Sequence, residues 1–308
     1  MAFLKLIRYQ NLLMIAFMQL IFRYGFLDLQ EIPLALNDWQ YFLLVLATVT
    51  IAAGGYVINN VFDQETDTIN KPQNVVIGKS ISENNAYTLY TILNILGVGI
   101  GFYLSNYIGK PSFSGVFIVI AATLYLYASS LKQTLLIGNL VIATMTSISI
   151  IIIGIFDLYP ILNAENSVVY GIMFKVFLDY ALFCFIINFI RELVKDLEDV
   201  DGDYNLGMNT LPIVLGISRT SKLVFILSFI PLVLLLWYIN TYYIANNLYV
   251  GASYTLFFIV APLLYFTIKM SSAKSKNDFK HLSKVLKLVL LFGILSILVI
   301  TLNVKYNA

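Results

Sequence analysis

Two short segments of this chain concentrate carboxylates far beyond what its composition supplies elsewhere. Only 12% of the 308 residues are charged. Yet "NNVFDQETDTINKP", residues 59–72, holds Asp63, Glu65 and Asp67 within five positions, and "RELVKDLEDVDGDYNLG", Arg191 to Gly207, holds six more acids. On a helix, Asn59, Asp63 and Asp67 fall at i, i+4 and i+8 and share one face, while Glu65 points elsewhere. Glu192, Asp196, Asp199 and Asp203 fall at i, i+4, i+7 and i+11 and form a second stripe, with Glu198 and Asp201 off it. Like charges one turn apart destabilise a helix by a few tenths of a kcal/mol per pair. A carboxylate drawn towards a bilayer core costs roughly 2.5–3.5 kcal/mol more. Something cationic must offset both terms. Oxygen-only ligands without His or Cys select a hard ion, Mg²⁺ or Mn²⁺. Because Mg²⁺ commonly takes one or two carboxylates and fills its remaining positions with phosphate oxygens and water, the expected ligand is a diphosphate bridged by metal to both stripes. The alternative is a pair of charge-rich solvated loops, against which stands the recurrence of one pattern at equivalent places.

The elements that must carry these stripes are membrane helices. The chain is 59% hydrophobic and 15% aromatic, with a mean hydropathy of +0.84, values outside the range of soluble domains. Nine stretches of about 20 apolar residues can each cross a bilayer: 10–30, 39–60, 86–107, 113–131, 134–156, 168–191, 219–240, 249–269 and 284–304. Alternating short strands are absent, so the expected class is an all-α polytopic membrane protein. The first stretch is too long and too aromatic for a cleaved signal and is expected to remain in the protein. With the N-terminus in the cytoplasm, fifteen of the nineteen Lys and Arg residues lie at cytoplasmic ends, leaving Arg23, Lys110, Lys175 and Lys305 outside. Both acidic segments then face the cytoplasm of a cell-membrane protein. "KMSSAKSKNDFKHLSKVLK" reads as a loop that anchors this topology.

Asp63 and Asp196 lie 133 residues and four spans apart. That spacing suggests two four-helix halves in the same orientation with a ninth helix appended. No Pro- or Ser-rich linker divides the chain, so residues 1–308 are expected to form a single domain. The single cysteine, Cys184, and the single histidine, His281, give no disulfide or soft-metal framework and read as structural residues. The net charge of +2, with no basic patch interleaved with aromatics, offers nothing to nucleic acid.

"N59-x3-D63-x3-D67" resembles the first motif, NDxxDxxxD, of the UbiA superfamily of intramembrane prenyltransferases, and "D196-x2-D199-x3-D203" resembles its second, DxxDxxxD. "IRYQN" places Arg8 and Asn11 where that family has an R-x-x-N entry to its first helix. "LYLYASSLKQTLLIGN" matches its Y…LK…GN region around Tyr127, Lys132, Gly138 and Asn139. "RELVKDLEDVDGDYNLGMNTLPIVLG" is similar to a segment of the digeranylgeranylglyceryl phosphate synthase branch. Two positions depart from the pattern: Asn60 stands where many members carry Asp, and Asn74-Val75 where many carry Arg-Pro.

The resemblance implies transfer of a polyprenyl group from its diphosphate to a lipophilic acceptor. Asp63, Asp67, Asp196 and Asp203 would be the catalytic carboxylates, and with Asn59 and Asp199 they would hold Mg²⁺, which offsets charge developing on the departing diphosphate. Arg8, Asn11, Lys71, Lys79, Tyr127, Lys132, Arg191 and Lys195 would bind substrate, the cations through charge-assisted hydrogen bonds. For Arg8, Lys132 and Lys195, anchoring of topology is the competing reading. Tyr125, Tyr127, Phe185 and Phe189 lie near cytoplasmic span ends, where aromatic faces can attract an allylic cation. Lys175 and Asp179 form an intramembrane i, i+4 pair, read either as functional or as mutually neutralising. The branch favours geranylgeranylglycerol phosphate as acceptor. An aromatic quinone precursor is the alternative acceptor, and a divalent-cation transporter is the alternative class.

Overall fold

In a computed structural model, residues 2–73 and 75–306 are described; Asn74 of the Asn74-Val75 departure lies outside them. Among the described residues, nine helices are long and apolar enough to cross a membrane, and no strand forms. They run Tyr9–Gln30, Asp38–Phe62, Glu83–Tyr107, Pro111–Ser129, Ile137–Ile161, Ser167–Asn205, Ile217–Asn246, Tyr249–Met270 and Lys276–Tyr306. Backbone groups that cannot meet water in lipid are thus satisfied within each segment.

Of the boundaries that differ from the hydropathy reading, three have a clear local reason. The sixth span does not end near residue 191. It continues as one helix to Asn205, 39 residues, which at about 1.5 Å per residue is nearly twice the ~30 Å hydrocarbon core. The second acidic stripe therefore rides on a continuous helix beyond the apolar stretch. The ninth span starts at Lys276, inside the segment read as a loop. Ser275 Oγ accepts from Asp278 N (3.2 Å), while Asp278 accepts from the backbone of Ser275 (2.9 Å) and Lys274 (3.1 Å). This reciprocal cap starts the helix two turns early, with Phe279 and Leu282 buried on its inner face. Finally, the second span breaks after Phe62 and resumes as a short helix, Gln64–Asn70, with Asp63 at the junction.

Packing divides the chain into two compact units. One comprises the chain up to Leu20, Pro33–Val141 and Ile148–Leu178; the other comprises Ile21–Ile32, Ile142–Ser147 and the chain from Asp179. The boundary runs through the first, fifth and sixth spans.

The first unit is built on close helix contacts. The second span starts at a capping box: Asn37 and Gln40 each donate a backbone N–H to the other's side chain (2.9 and 3.0 Å). Ahead of it, the fully buried Asp157 accepts Leu36 N–H (3.2 Å) through its carboxylate and Ala35 N–H (3.0 Å) through its backbone oxygen. Small residues then let spans approach. A Cβ on Gly97 of the third span would lie 2.5 Å from Ile51 and 3.1 Å from the Ala47 carbonyl of the second. One on Gly101 would lie 2.3–2.7 Å from the ring of Phe117 in the fourth. With no hydrophobic drive between helices in lipid, such close packing is what holds them. Polar clasps add to it. Gln19, fully buried in the first span, donates to Thr48 Oγ1 (3.2 Å) and the Ser149 carbonyl (3.1 Å).

In the second unit, Arg191 Nε donates to the Ser283 carbonyl (3.3 Å), joining the sixth span to the ninth. Tyr180 and Ser296 share a hydroxyl hydrogen bond (2.8 Å) deeper in the same pair. Asp179, read with Lys175 as an intramembrane pair, accepts from the Tyr238 hydroxyl (3.3 Å). Cys184 accepts a contact from the Asn188 amide (3.3 Å), and His281 shares a hydrogen bond with Tyr265 (3.0 Å), so both have structural partners.

Gly101→Ala is expected to drive a methyl group into the buried Phe117 ring and to destabilise the protein by about 1–3 kcal/mol, the usual cost of overpacking. Thermal unfolding of the detergent-solubilised variant, read by tryptophan fluorescence, should show a lowered midpoint. An unchanged midpoint would mean that this helix contact is looser than described.

Candidate active-site carboxylates and their partners

The first carboxylate set keeps its predicted register across the helix break. Asp63 N donates to Asn59 O (2.9 Å), Asp67 N to Asp63 O (2.8 Å) and Lys71 N to Asp67 O (2.9 Å), so i→i−4 bonds at these positions carry the register past the break at Asp63. Asn59, Asp63 and Asp67 therefore stay one turn apart, and Glu65 is exposed away from them, as its spacing predicts. Asp63 is engaged on both oxygens: Lys132 Nζ donates to Oδ1 and the Asn59 amide to Oδ2. Lys132 is almost entirely buried in this pair, its side chain 8% exposed.

Arg8 approaches from the turn before the first span, where its backbone takes a left-handed φ of 49°. That conformation strains a non-glycine residue. Its guanidinium carbon stands 5.3 Å from the centre of the Tyr56 ring, a cation–π distance. Desolvation lowers the Arg8 pKa, but Tyr56, Asp63, Asp67 and Tyr127 outweigh it and raise the group above its ordinary value. Asn11 donates to the Tyr56 hydroxyl (3.2 Å). The structure thus gathers Arg8, Asn11, Asp63, Asp67, Tyr127 and Lys132 around the end of the second span. Tyr56 was missed from sequence, though it sits three residues before Asn59 and seven before Asp63, on their face.

Asn60 has a different task. Its amide donates to the carbonyls of Leu6 (3.1 Å) and Tyr56 (2.8 Å), fastening the N-terminal helix Ala2–Leu6 to the second span. A carboxylate there would set an acceptor against two acceptors, which accounts physically for an amide at this position. Lys79 is exposed, with Nζ 3.4 Å from the Pro72 carbonyl, and Lys71 follows the short helix. Tyr125 packs edge-on against Phe62 at 6.0 Å and lies 6.1 Å from Tyr90.

The second set lies on the extended sixth helix. Asp203 is buried, and Thr210 donates its hydroxyl to the carboxylate (3.1 Å). The chain returns to make this bond because Gly207 takes a left-handed φ of 65°. Gly207 N then reaches Tyr204 O (3.1 Å) and Met208 N reaches Asp203 O (2.9 Å), a glycine-based helix stop. Thr210 falls within the segment similar to the synthase branch, and nothing in its spacing marks it. Glu192 is buried and held by Lys195 (2.8 and 3.0 Å) and Arg191 (3.4 Å). Both cations predicted to bind substrate thus rest on a carboxylate of their own stripe. Asp196 and Asp199 are half-buried on the same helix, and Asp201 is exposed. Glu198 leaves the stripe, as expected, but is buried rather than solvated. Phe185 and Phe189 stack one turn apart at 6.2 Å.

Among the described residues, no three His, Cys, Asp or Glu side chains stand together as a cation cage. The donor set nevertheless fits a hard divalent ion. Every ligand is oxygen, and Mg²⁺ takes only one or two carboxylates when phosphate and water supply the rest. The Asn59 Oδ1 is buried without a hydrogen-bond partner, a free oxygen ligand beside Asp63.

Known proteins resemble this chain over most of its length. A digeranylgeranylglyceryl phosphate synthase of Methanobrevibacter smithii is 31% identical over 271 residues, 87% of this chain and 89% of that one. The synthase of the same name from Saccharolobus solfataricus is 34% identical over 192 residues, 62% of each chain. Among solved structures, a study of digeranylgeranylglyceryl phosphate synthase in membranes supplies a chain with TM-score 0.64 and 24% identity, aligned over 97% of both chains. A UbiA homologue from Archaeoglobus fulgidus bound to GPP and Mg²⁺ aligns with TM-score 0.62 and 14% identity over 96% of this chain and 99% of that one. These structural matches establish a shared fold. The model of the UbiA prenyltransferase family matches residues 25–300. This polytopic membrane chain therefore belongs to the UbiA prenyltransferase family.

Proposed function

We propose that the chain transfers a geranylgeranyl-like group from its diphosphate to the free hydroxyl of geranylgeranylglycerol phosphate, with Mg²⁺ as cofactor and the active site facing the cytoplasm. The observation that carries this reading is the first carboxylate set. Asp63 and Asp67 stand one turn apart, joined by an i→i−4 bond, with two cations, Arg8 and Lys132, directed at them. A diphosphate-and-metal site requires that mixture of charges. The acceptor rests on the names of the relatives, several of which are digeranylgeranylglyceryl phosphate synthases at 28–34% identity.

Asn59, Asp63 and Asp67, and Asp196, Asp199 and Asp203, are the residues that would hold the metal. Bound there, Mg²⁺ would supply electrostatic stabilisation of the departing diphosphate. Arg8 and Lys132 bind phosphate oxygens by charge-assisted hydrogen bonds, with Asn11 and Tyr56 fixing the Arg8 guanidinium. Lys195 and Arg191 supply further positive charge beside Glu192, and Lys71 and Lys79 border the loop beyond the short helix. Thr210 fixes the orientation of Asp203 through its hydroxyl. The bond from the allylic carbon to the diphosphate oxygen breaks as the acceptor oxygen forms an ether bond to that carbon, and the hydroxyl proton is released. Tyr125, Tyr127, Phe185 and Phe189 present ring faces suited to a transient allylic cation. The apolar tail needs no aqueous cage in a protein surrounded by lipid. Residues 1–308 act as one prenyltransferase domain.

Purified protein given Mg²⁺, geranylgeranyl diphosphate, geranylgeranylglycerol phosphate and a pool of aromatic acceptors should yield the doubly prenylated glycerol phosphate by mass. Asp63→Asn should reduce its formation on the order of 10²-fold or more, the scale of losing a group that stabilises developing charge. A prenylated aromatic instead would overturn the acceptor, and no metal-dependent loss of diphosphate would overturn the reaction. The orientation has its own test in a C184S background. On intact cells, an impermeant maleimide should label N247C, between the seventh and eighth spans, and should reach S272C only after lysis. The reverse pattern would place the carboxylates outside.

A further inference from the structure

Lys132 occupies the carboxylate oxygen that a metal ion would need. We infer that Lys132 is a resident counter-cation on Asp63 which must be drawn off before metal binds there, so that metal loading depends on diphosphate. This deepens the reading above and rests on it.

Asp63 is 17% and Lys132 8% exposed at the side chain. A carboxylate so placed is costly without a compensating charge, and the ammonium supplies one. It holds Oδ1 while the Asn59 amide holds Oδ2. A dication set against Oδ1 would meet a positive charge at contact distance, so the two cations compete for one oxygen.

The backbone under Lys132 is fixed, leaving its flexible stem as the part that can move. Lys132 lies in a single turn, Leu131–Gln133, between the fourth and fifth spans. Ser130 closes that turn onto the Leu126 carbonyl through its N–H and its hydroxyl, each at 3.0 Å. Thr134 closes it from the other side onto the Leu131 carbonyl through its hydroxyl (2.6 Å) and its N–H (3.1 Å). The turn then lies directly on Gly138, in the first turn of the fifth span. A Cβ on Gly138 would stand 2.8 Å from the Leu131 oxygen and 2.9 Å from the Lys132 Cα. Both are backbone atoms that cannot rotate aside, so glycine at 138 is what seats Lys132 against Asp63.

A lysine ammonium is a point charge with three rotatable donors on a four-carbon stem, able to exchange one anion for another without moving its backbone. A diphosphate offers it that exchange. Phosphate oxygens that take Lys132 release Oδ1 to the metal, so metal and diphosphate each strengthen the other's binding, and that coupling is reciprocal.

The test uses the full-length protein in detergent with Mn²⁺ as a paramagnetic stand-in, free ion being counted by electron paramagnetic resonance without diphosphate. Wild type should bind Mn²⁺ weakly. Lys132→Gln should bind it about tenfold more tightly, within the range usual for coupled sites, and D63N/K132Q should lose that gain. Lys132→Arg, which keeps the charge, should stay near wild type. Gly138→Ala, which keeps the lysine but displaces its backbone, should shift towards Lys132→Gln and covers the case in which the glutamine variant fails to fold. Unaltered Mn²⁺ affinity in Lys132→Gln and Gly138→Ala, with Asp63→Asn still weakening Mn²⁺ bound alongside geranylgeranyl diphosphate, would overturn the counter-cation role and leave the metal reading standing. Equal tightening in Lys132→Arg would also overturn it. Absence of Mn²⁺ binding in every variant, with or without geranylgeranyl diphosphate, would overturn the metal reading itself.

Discussion

An ionised side chain at a membrane edge must be compensated where it stands, because the solvent that would otherwise stabilise it is only partly available. Each well-buried acid with an assigned neighbour meets that requirement differently. Asp63 has Lys132 and the Asn59 amide. Glu192 has Lys195 and Arg191. Asp203 has the Thr210 hydroxyl, and Asp157 has the Leu36 backbone N–H. The differences matter for what each group can do. A carboxylate held by neutral donors keeps its charge available, whereas one held by a cation is neutralised until the cation leaves.

Supplying these partners is largely a matter of backbone placement. Gly138 lets the Lys132 turn lie on the fifth span, and Gly207 turns the chain so that Thr210 returns to Asp203. In both cases a residue without a side chain decides where a polar side chain ends up. The first is a question of space; the second is one of a left-handed φ that residues with a Cβ adopt at a cost. Gly97 and Gly101 do comparable work in the third span, bringing it against the second and fourth. The result is a set of helices carrying the acids, with short turns delivering Arg8, Lys132 and Thr210, while Arg191 and Lys195 come from the sixth helix itself.

Tyr56 links several of the remaining residues. Its ring lies against the Arg8 guanidinium, its hydroxyl accepts from Asn11, and its carbonyl accepts from Asn60. Arg8 reaches it only by adopting a strained backbone at the entry to the first span. Strain of this kind persists where surrounding contacts fix it, and here the fastening of Ala2–Leu6 by Asn60 is one such contact. The N-terminal entry is thereby tied to the second span, which bears the first carboxylates.

The sequence by itself determined the class, the spans and the two carboxylate stripes, because hydropathy and helical period are local and each span satisfies its own backbone. It also marked Arg8, Asn11 and Lys132 through motif resemblance. Tertiary structure decided which charge meets which. Lys132 and Asp63 are 69 residues apart, and no periodicity relates them; only the approach of a turn to a helix end brings them together. Arg191 and Lys195 carried the same signal as Lys132 in the chain, yet rest on Glu192. The extension of the sixth helix to Asn205 shows in the helical spacing of its acids and not in hydropathy, whereas the early start of the ninth was hidden because polar helix beyond the bilayer has no hydropathy signature. Tyr56, Thr210 and the packing role of Gly138 were invisible for a related reason: their effect lies in what they touch, which spacing along one helix cannot reveal.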